Sequence, residues 1–184
     1  MASYRAGRVI FPREMIEERA VEIGRQITAD YSGMEIFLIG ILTGCVMWMA
    51  EVMKSIDLDL SVDFMSVSSY GSATRSSGVV KIIKDLNADI EGKHVLIVED
   101  IIDSGVTLEY LCNYLKARGP ASLKICAMLD KPSGRRTEIG ADYVGFTAPD
   151  AFLIGYGLDA NHKYRNLPYI AALGQTDDNE NQED

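Results

Sequence analysis

Glu99 and Asp100 stand side by side after the apolar run Val95–Val98, and Asp103-Ser104-Gly105-Val106-Thr107 follows within a few residues. Such a short apolar run bounded by polar residues reads as a buried strand. In open α/β sheets, ligands bind beyond the carboxyl ends of the strands. Adjacent acids at that place accept hydrogen bonds from sugar hydroxyls and can lie near a magnesium ion. Ser104 and Thr107 add hydroxyls, and Gly105 allows close backbone approach. A helix opening at Thr107 would aim unpaired N–H groups and the positive end of its dipole at the same spot. One segment thus offers acceptors on one side and phosphate donors on the other, the polarity of a ribose 5-phosphate. An ordinary capped strand–helix junction has similar parts, so the segment alone leaves both readings open. Neither GxGxxG nor GxxxxGK[ST] occurs, which leaves a dinucleotide fold or a nucleotide-triphosphate motor with little support.

The elements that must hold this segment can be read from periodicity. Pro12 through Tyr31 reads as a helix, with Pro12 in the first turn and Ile16, Ala20, Ile23 and Ile27 on one face. Gly44–Lys54 and Thr107–Ala117 read as two more. Strands are expected at Glu35–Gly40, Leu60–Ser66, Val79–Ile83, His94–Val98, Ser122–Leu129 and Asp142–Phe146. This alternation implies right-handed crossovers and an α/β fold with a central, mainly parallel sheet flanked by helices. Ser68–Gly78 (SSYGSATRSSG) has almost nothing to bury and reads as a mobile loop long enough for a lid.

Bulk properties narrow the partners. The 184 residues suit one compact unit, residues 1–173, followed by the tail GQTDDNENQED. That tail carries five acids and no base; without it the net charge rises from −9 to −4. It reads as a solvated, disordered extension. A mildly acidic body speaks against a nucleic-acid partner. The longest apolar run, between Glu35 and Glu51, is broken by Gly40, Thr43 and Gly44 and is too short for a membrane span. MASYRAGRVIF lacks the apolar region of a signal peptide. Three scattered cysteines without a CxxC pair suit a reducing cytoplasm.

VLIVEDIIDSGVTL (95–108) resembles the diphosphate-sugar motif of the type I phosphoribosyltransferases. VDFMSVSSYGS, KIIKDL, LDKPSGRR, DYVGF, PDAFLIGYGLD and YRNLPYI resemble, in that order, blocks of the bacterial hypoxanthine and hypoxanthine-guanine members. The resemblance covers nearly all of the chain except the acidic tail. It implies a small hood from terminal segments over the sheet, and a flexible lid led by Ser69 and Tyr70. It implies transfer of a phosphoribosyl group from phosphoribosyl diphosphate to a 6-oxopurine, with magnesium as cofactor and a homodimer or homotetramer as the assembly.

The implied roles fall on individual residues. Glu99 and Asp100 would contact the ribose hydroxyls directly or through magnesium, and Asp103 would be the general base near N7 of the purine. Ser104, Gly105, Val106 and Thr107 would bind the 5-phosphate. Lys131 would donate to O6, Tyr143 would stack on the base, and the Val144 backbone would read its edge. Asp150 would lie near the base and a second magnesium, and Arg165 would bind diphosphate. Leu42-Thr43-Gly44 resembles the family's diphosphate loop, where a non-proline cis peptide is frequent. Thr43 and Gly44 would bind diphosphate; many members carry Lys or Arg where Thr43 stands, a change that is tolerable if the loop works through backbone amides. Arg135-Arg136 reads as a solvated turn. Beside this reading stand a xanthine/guanine-preferring enzyme and a non-catalytic phosphoribosyl-diphosphate-binding regulator.

Overall fold

The structure is a computed structural model and describes residues 4–69 and 80–175. In chain order the strands and helices are β1 (Tyr4–Phe11), α1 (Arg13–Asp30), β2 (Ile36–Leu42), α2 (Val46–Lys54), β3 (Leu60–Ser69), β4 (Val80–Lys84) and β5 (His94–Ile102). They continue with α3 (Val106–Lys116), β6 (Ser122–Asp130), β7 (Tyr143–Thr147), β8 (Leu153–Ile154) and β9 (Ile170–Gln175), with a 3-10 turn at Pro132–Gly134.

Six strands form the main sheet in the order β4-β3-β2-β5-β6-β7. All neighbours run parallel except β4, which is antiparallel to β3. The expected mainly parallel sheet is therefore observed. Strand parity sorts the side chains between two cores. Leu38, Leu96, Val98, Cys126 and Met128 face α1 and α2. Phe37, Ile39, Val95, Ile97 and Ile125 face α3. The stripe read on α1 is buried, with Ile16, Ile23 and Ile27 fully covered. Each such side chain contributes about 1.5–3 kcal/mol of apolar burial.

A second sheet of three strands, in the order β1-β9-β8, forms the hood. Its central strand joins the two ends of the chain: β1 runs antiparallel to β9, with Tyr4 opposite Gln175 and Phe11 opposite Ile170. Phe11 stacks on Phe146 of β7 at 4.5 Å between ring centres, which fastens the hood to the main sheet.

Several boundaries differ from the sequence reading. Pro12 is the N-cap of α1 and precedes its first turn. The second helix begins at Val46, after the turn that holds Thr43 and Gly44. β5 runs to Ile102, because residues beyond Val98 still pair with Ala127–Asp130 of β6. β3 runs to Ser69, so Ser68 and Ser69 are strand residues opposite Lys81 and Val80. The remainder of the expected lid, Tyr70 included, lies outside the described residues. β9 includes Gly174 and Gln175, and the tail from residue 176 onward also lies outside them.

Candidate active site

The end of β5 divides two pockets by strand parity. Val95 and Ile97 of β5 face the α3 side of the sheet, and Glu99 continues that alternation. Glu99, Ile101, Ser104, Gly105 and Thr107 line a pocket of about 150 Å3 at the start of α3. Leu96 and Val98 face the α2 side, and Asp100 lies against Gly44 there; beyond it the alternation breaks, with Ile101 packed on the α2 side and Ile102 on the α3 side. Asp100, Lys131, Phe152, Leu153 and Asp159 line a second pocket of about 200 Å3. Ile101 and Asp103 border both. A third, larger cleft between Met34, Phe37 and His94 sits at the opposite ends of these strands, away from this cluster.

The first pocket lies at the opening of a helix. Gly105 caps α3 with φ +79°, a left-handed conformation that favours glycine. A Cβ there would stand 2.3 Å from Thr137 Oγ1. No side chain caps the helix. The first intrahelical bond runs from Glu109 N–H to Gly105 O, at 2.9 Å. The preceding amides therefore have no partner within the helix and face the pocket end. Free amides at a helix start are the kind of donors that can hold an anion.

The carboxylates behind it carry strain of an electrostatic kind. Burial pushes the Glu99 carboxyl well above the ordinary range, and its neighbour Asp100 adds to the rise. Burial likewise raises Asp100; Arg165 opposes that rise and Asp159 adds to it. Desolvated acids of this kind are stabilised when hydroxyl donors or a cation arrive. Gly44 lies directly against Asp100. The Leu42–Thr43 peptide is cis, and Thr43 is exposed. Gly157, at φ +99°, packs on the Gly44 carbonyl, so the hood loop meets the 42–45 turn. Arg165 donates to the Gly157 carbonyl at 2.5 Å and pairs with Asp159 at 2.7 Å.

At the second pocket, Lys131 Nζ donates to Ala151 O at 3.1 Å and lies 3.8 Å from Asp150. The pocket's aromatic ring is Phe152, which is 60% exposed. Its carbonyl accepts from Leu173 N–H of β9 at 2.8 Å, so the hood holds it in position.

Two expectations, those for Tyr143 and Val144, need correction here. Tyr143 lies in the core between β7 and α1, 2% exposed, and its hydroxyl donates to Asp30 at 2.7 Å. It pairs with Cys126, well before the carboxyl end of β6, and cannot stack on a base in this cleft. The Val144 carbonyl accepts from Arg19 Nη2 at 2.8 Å, so its edge is already occupied by α1. Asp150 accepts from Ser133 Oγ at 3.1 Å, and its side chain is 83% exposed. Asp159 is the acid beside Asp100. Phe152, Leu153 and Asp159 were missed although PDAFLIGYGLD was singled out. A signal was present: Phe152 follows Pro149-Asp150, and Asp159 follows the closely spaced glycines 155 and 157.

A mainly parallel sheet whose carboxyl edge carries free helix-end amides beside an acid-lined cleft has the ligand-site layout of an open α/β protein. The chain belongs to the phosphoribosyl transferase domain family, which matches residues 12–161. It is 51% identical over 166 residues to the hypoxanthine-guanine phosphoribosyltransferase of Bacillus subtilis, covering 90% of this chain and 92% of that one. The bifunctional TilS/HprT protein of Listeria monocytogenes is also 51% identical, and here the chain spans about a quarter (26%) of the relative's length. A hypoxanthine phosphoribosyltransferase structure from Staphylococcus aureus superposes with a TM-score of 0.89 at 47% identity, covering 92% of each chain.

Proposed function

We propose that the protein transfers the 5-phosphoribosyl group of phosphoribosyl diphosphate to N9 of hypoxanthine and of guanine, as a purine-salvage enzyme. The observation that carries this reading is the pair of pockets sharing Asp103 and Ile101. Free helix-end amides and a second, acid-lined cleft meet there.

The 5-phosphate sits at the start of α3, held by Ser104, Gly105, Val106 and Thr107. Ribose hydroxyls donate to Glu99 and Asp100. The base lies in the second cleft against Phe152, with Lys131 donating to O6. A 6-amino group in that place would put donor against donor, which disfavours adenine. The C1–oxygen bond to diphosphate breaks as the C1–N9 bond forms, and Asp103 takes the proton released from the purine ring. Arg165 and the backbone of the Thr43-Gly44 turn face the leaving diphosphate. A lid headed by Ser69 and Tyr70 would keep water from the activated sugar.

The residues suit magnesium. No cluster of three or more metal-binding side chains exists among the described residues. Magnesium usually takes only one or two carboxylates and completes its shell with phosphate oxygens and water. Asp100 and Asp159 would hold it, beside the ribose contact of Glu99. When bound, the ion offsets negative charge on the diphosphate.

The test is direct: incubate the protein with magnesium, phosphoribosyl diphosphate and each of hypoxanthine, guanine, xanthine and adenine. Monophosphate from hypoxanthine and guanine supports the reading. Product from none overturns it, and product mainly from xanthine or adenine overturns the assigned specificity. We further propose a cytoplasmic homodimer or homotetramer, which fractionation and light scattering check. No helix among the described residues is long and apolar enough to cross a membrane.

A further inference from the structure

Arg135 is not a solvated turn residue. Its side chain is 19% exposed and pairs with Asp130 at the end of β6. The same guanidinium donates through Nε to the Asp103 carbonyl at 3.1 Å and through Nη2 to the Ile102 carbonyl at 3.3 Å. Nη1 donates to the Ile139 carbonyl. One side chain thus spans three carbonyls and one carboxylate, a load suited to the fixed fork of arginine and not to a lysine.

The surrounding backbone is arranged to the same end. Lys131 N–H donates to the Ile102 carbonyl at 2.9 Å, and Arg136 N–H to the Ser104 carbonyl at 2.9 Å. A Cβ on Gly134 would lie 1.6 Å from Asp103 Oδ1, so the carboxylate rests on bare backbone. Arg135 Cδ sits 3.3 Å from the place a Gly105 Cβ would take. The 131–139 segment therefore grips the 102–105 turn from one side. That turn carries Asp103 and opens the phosphate nest, yet it is short and its Asp103 side chain is exposed.

We propose that Arg135, with Asp130 as its counter-ion, is a positioning residue that fixes the 102–105 turn and so sets the height and direction of the Asp103 carboxylate over the base. Arg135 touches no reacting atom and acts through Asp103. The inference rests on the proposed transfer reaction.

Three variants test it: Arg135→Gln, Arg135→Lys and Asp130→Asn. Arg135→Gln lowers kcat by about a hundredfold, the cost of a misplacement near 1 Å, while KM for phosphoribosyl diphosphate changes little. Arg135→Lys keeps the ion pair but cannot span the carbonyls, so it stays impaired. It also serves where the glutamine variant fails to fold. Asp130→Asn loses less than Arg135→Gln. Hydrogen exchange, followed without substrate, accelerates at the amides of residues 103–105 in both Arg135 variants. Wild-type kcat in Arg135→Gln, full recovery in Arg135→Lys, or unchanged exchange overturns the proposal. If the wild-type protein itself forms no nucleotide, the transfer reading falls, and the exchange measurement still decides the grip.

Discussion

A Cβ on Gly44 would stand 1.6 Å from Oδ2 of Asp100. The two residues belong to different strand ends, yet they are in direct contact across the cleft. Replacing Gly44 with alanine forces either the 42–45 turn or the carboxylate to move. Gly44→Ala is expected to lower kcat/KM for phosphoribosyl diphosphate by about tenfold or more, given the sensitivity of such sites to small displacements. Steady-state kinetics with varied phosphoribosyl diphosphate measure it, and an unchanged value counts against the Asp100 contact.

Asp103→Asn keeps the size of the side chain and removes its ability to take a proton. Turnover should fall by about 10²–10⁴-fold, the usual worth of a positioned acid or base. Binding of phosphoribosyl diphosphate, read by equilibrium titration, should stay close to wild type. Near-normal turnover would sink the assignment.

Phe152 and Tyr143 make opposite predictions. Phe152→Ala should raise KM for hypoxanthine, with a loss of about 1–3 kcal/mol per base as for other stacking platforms, and leave stability nearly intact because the ring is exposed. Tyr143→Phe should leave catalysis unchanged and cost about 1 kcal/mol of stability through the lost bond to Asp30. Denaturant unfolding and base kinetics on the two variants separate the roles.

The two acids of the hood loop also separate. Asp159→Asn should shift the magnesium dependence of activity to higher concentration, because Asp159 adjoins Asp100. Asp150→Asn should leave that dependence unchanged. Activity measured across a magnesium titration checks both, and equal shifts would return Asp150 to the metal site.

Acid stability should report on Asp63. Burial alone would raise this carboxyl, but bonds from the Phe64 and Asn87 amides and from Lys84 hold it at about 2. Its unfolded value is near 3.9. A lowered folded pKa stabilises the native state above the unfolded value, and that contribution is lost as pH falls from about 4 toward about 2. Wild-type stability should drop across that window. Asp63→Asn should be less stable at neutral pH and flatter in acid. Equal slopes in the two proteins, followed by denaturant unfolding against pH, would discount the site.

The main sheet was legible because its strands are local apolar runs and its helices carry one clear face. The stripe Ile16, Ala20, Ile23, Ile27 is buried as read. The acids at the end of β5 were legible as a site but not as strand. Polar residues normally end an apolar strand, whereas here β5 continues through them to Ile102: Glu99 pairs with Ala127, and the two acids turn to different clefts. The hood strands were not located because β1 and β9 find their partners across the whole length of the chain, which no local pattern records. Tyr143 illustrates the limit of alternation. DYVGF alternates correctly, yet periodicity cannot say which end of a strand meets the ligand. Phe152 was the better candidate on chemistry alone, a large aromatic ring that the fold leaves in the open. Arg135 was overlooked for a similar reason: sequence shows a charge pair, while only the fold reveals carbonyls converging on one guanidinium.

The pairing of β1 with β9 orders events during synthesis. Among the described residues β1 pairs with β9 alone, so this strand has no sheet partner until residues 170–175 have been made. The six-stranded sheet is complete once residue 147 has appeared, and β9 arrives more than twenty residues later. Because β9 holds Phe152, a nascent chain can possess its phosphate nest before its base cleft is assembled. Competence to bind a purine would then be acquired only once β9 has been made, after most of the stabilising core is already in place.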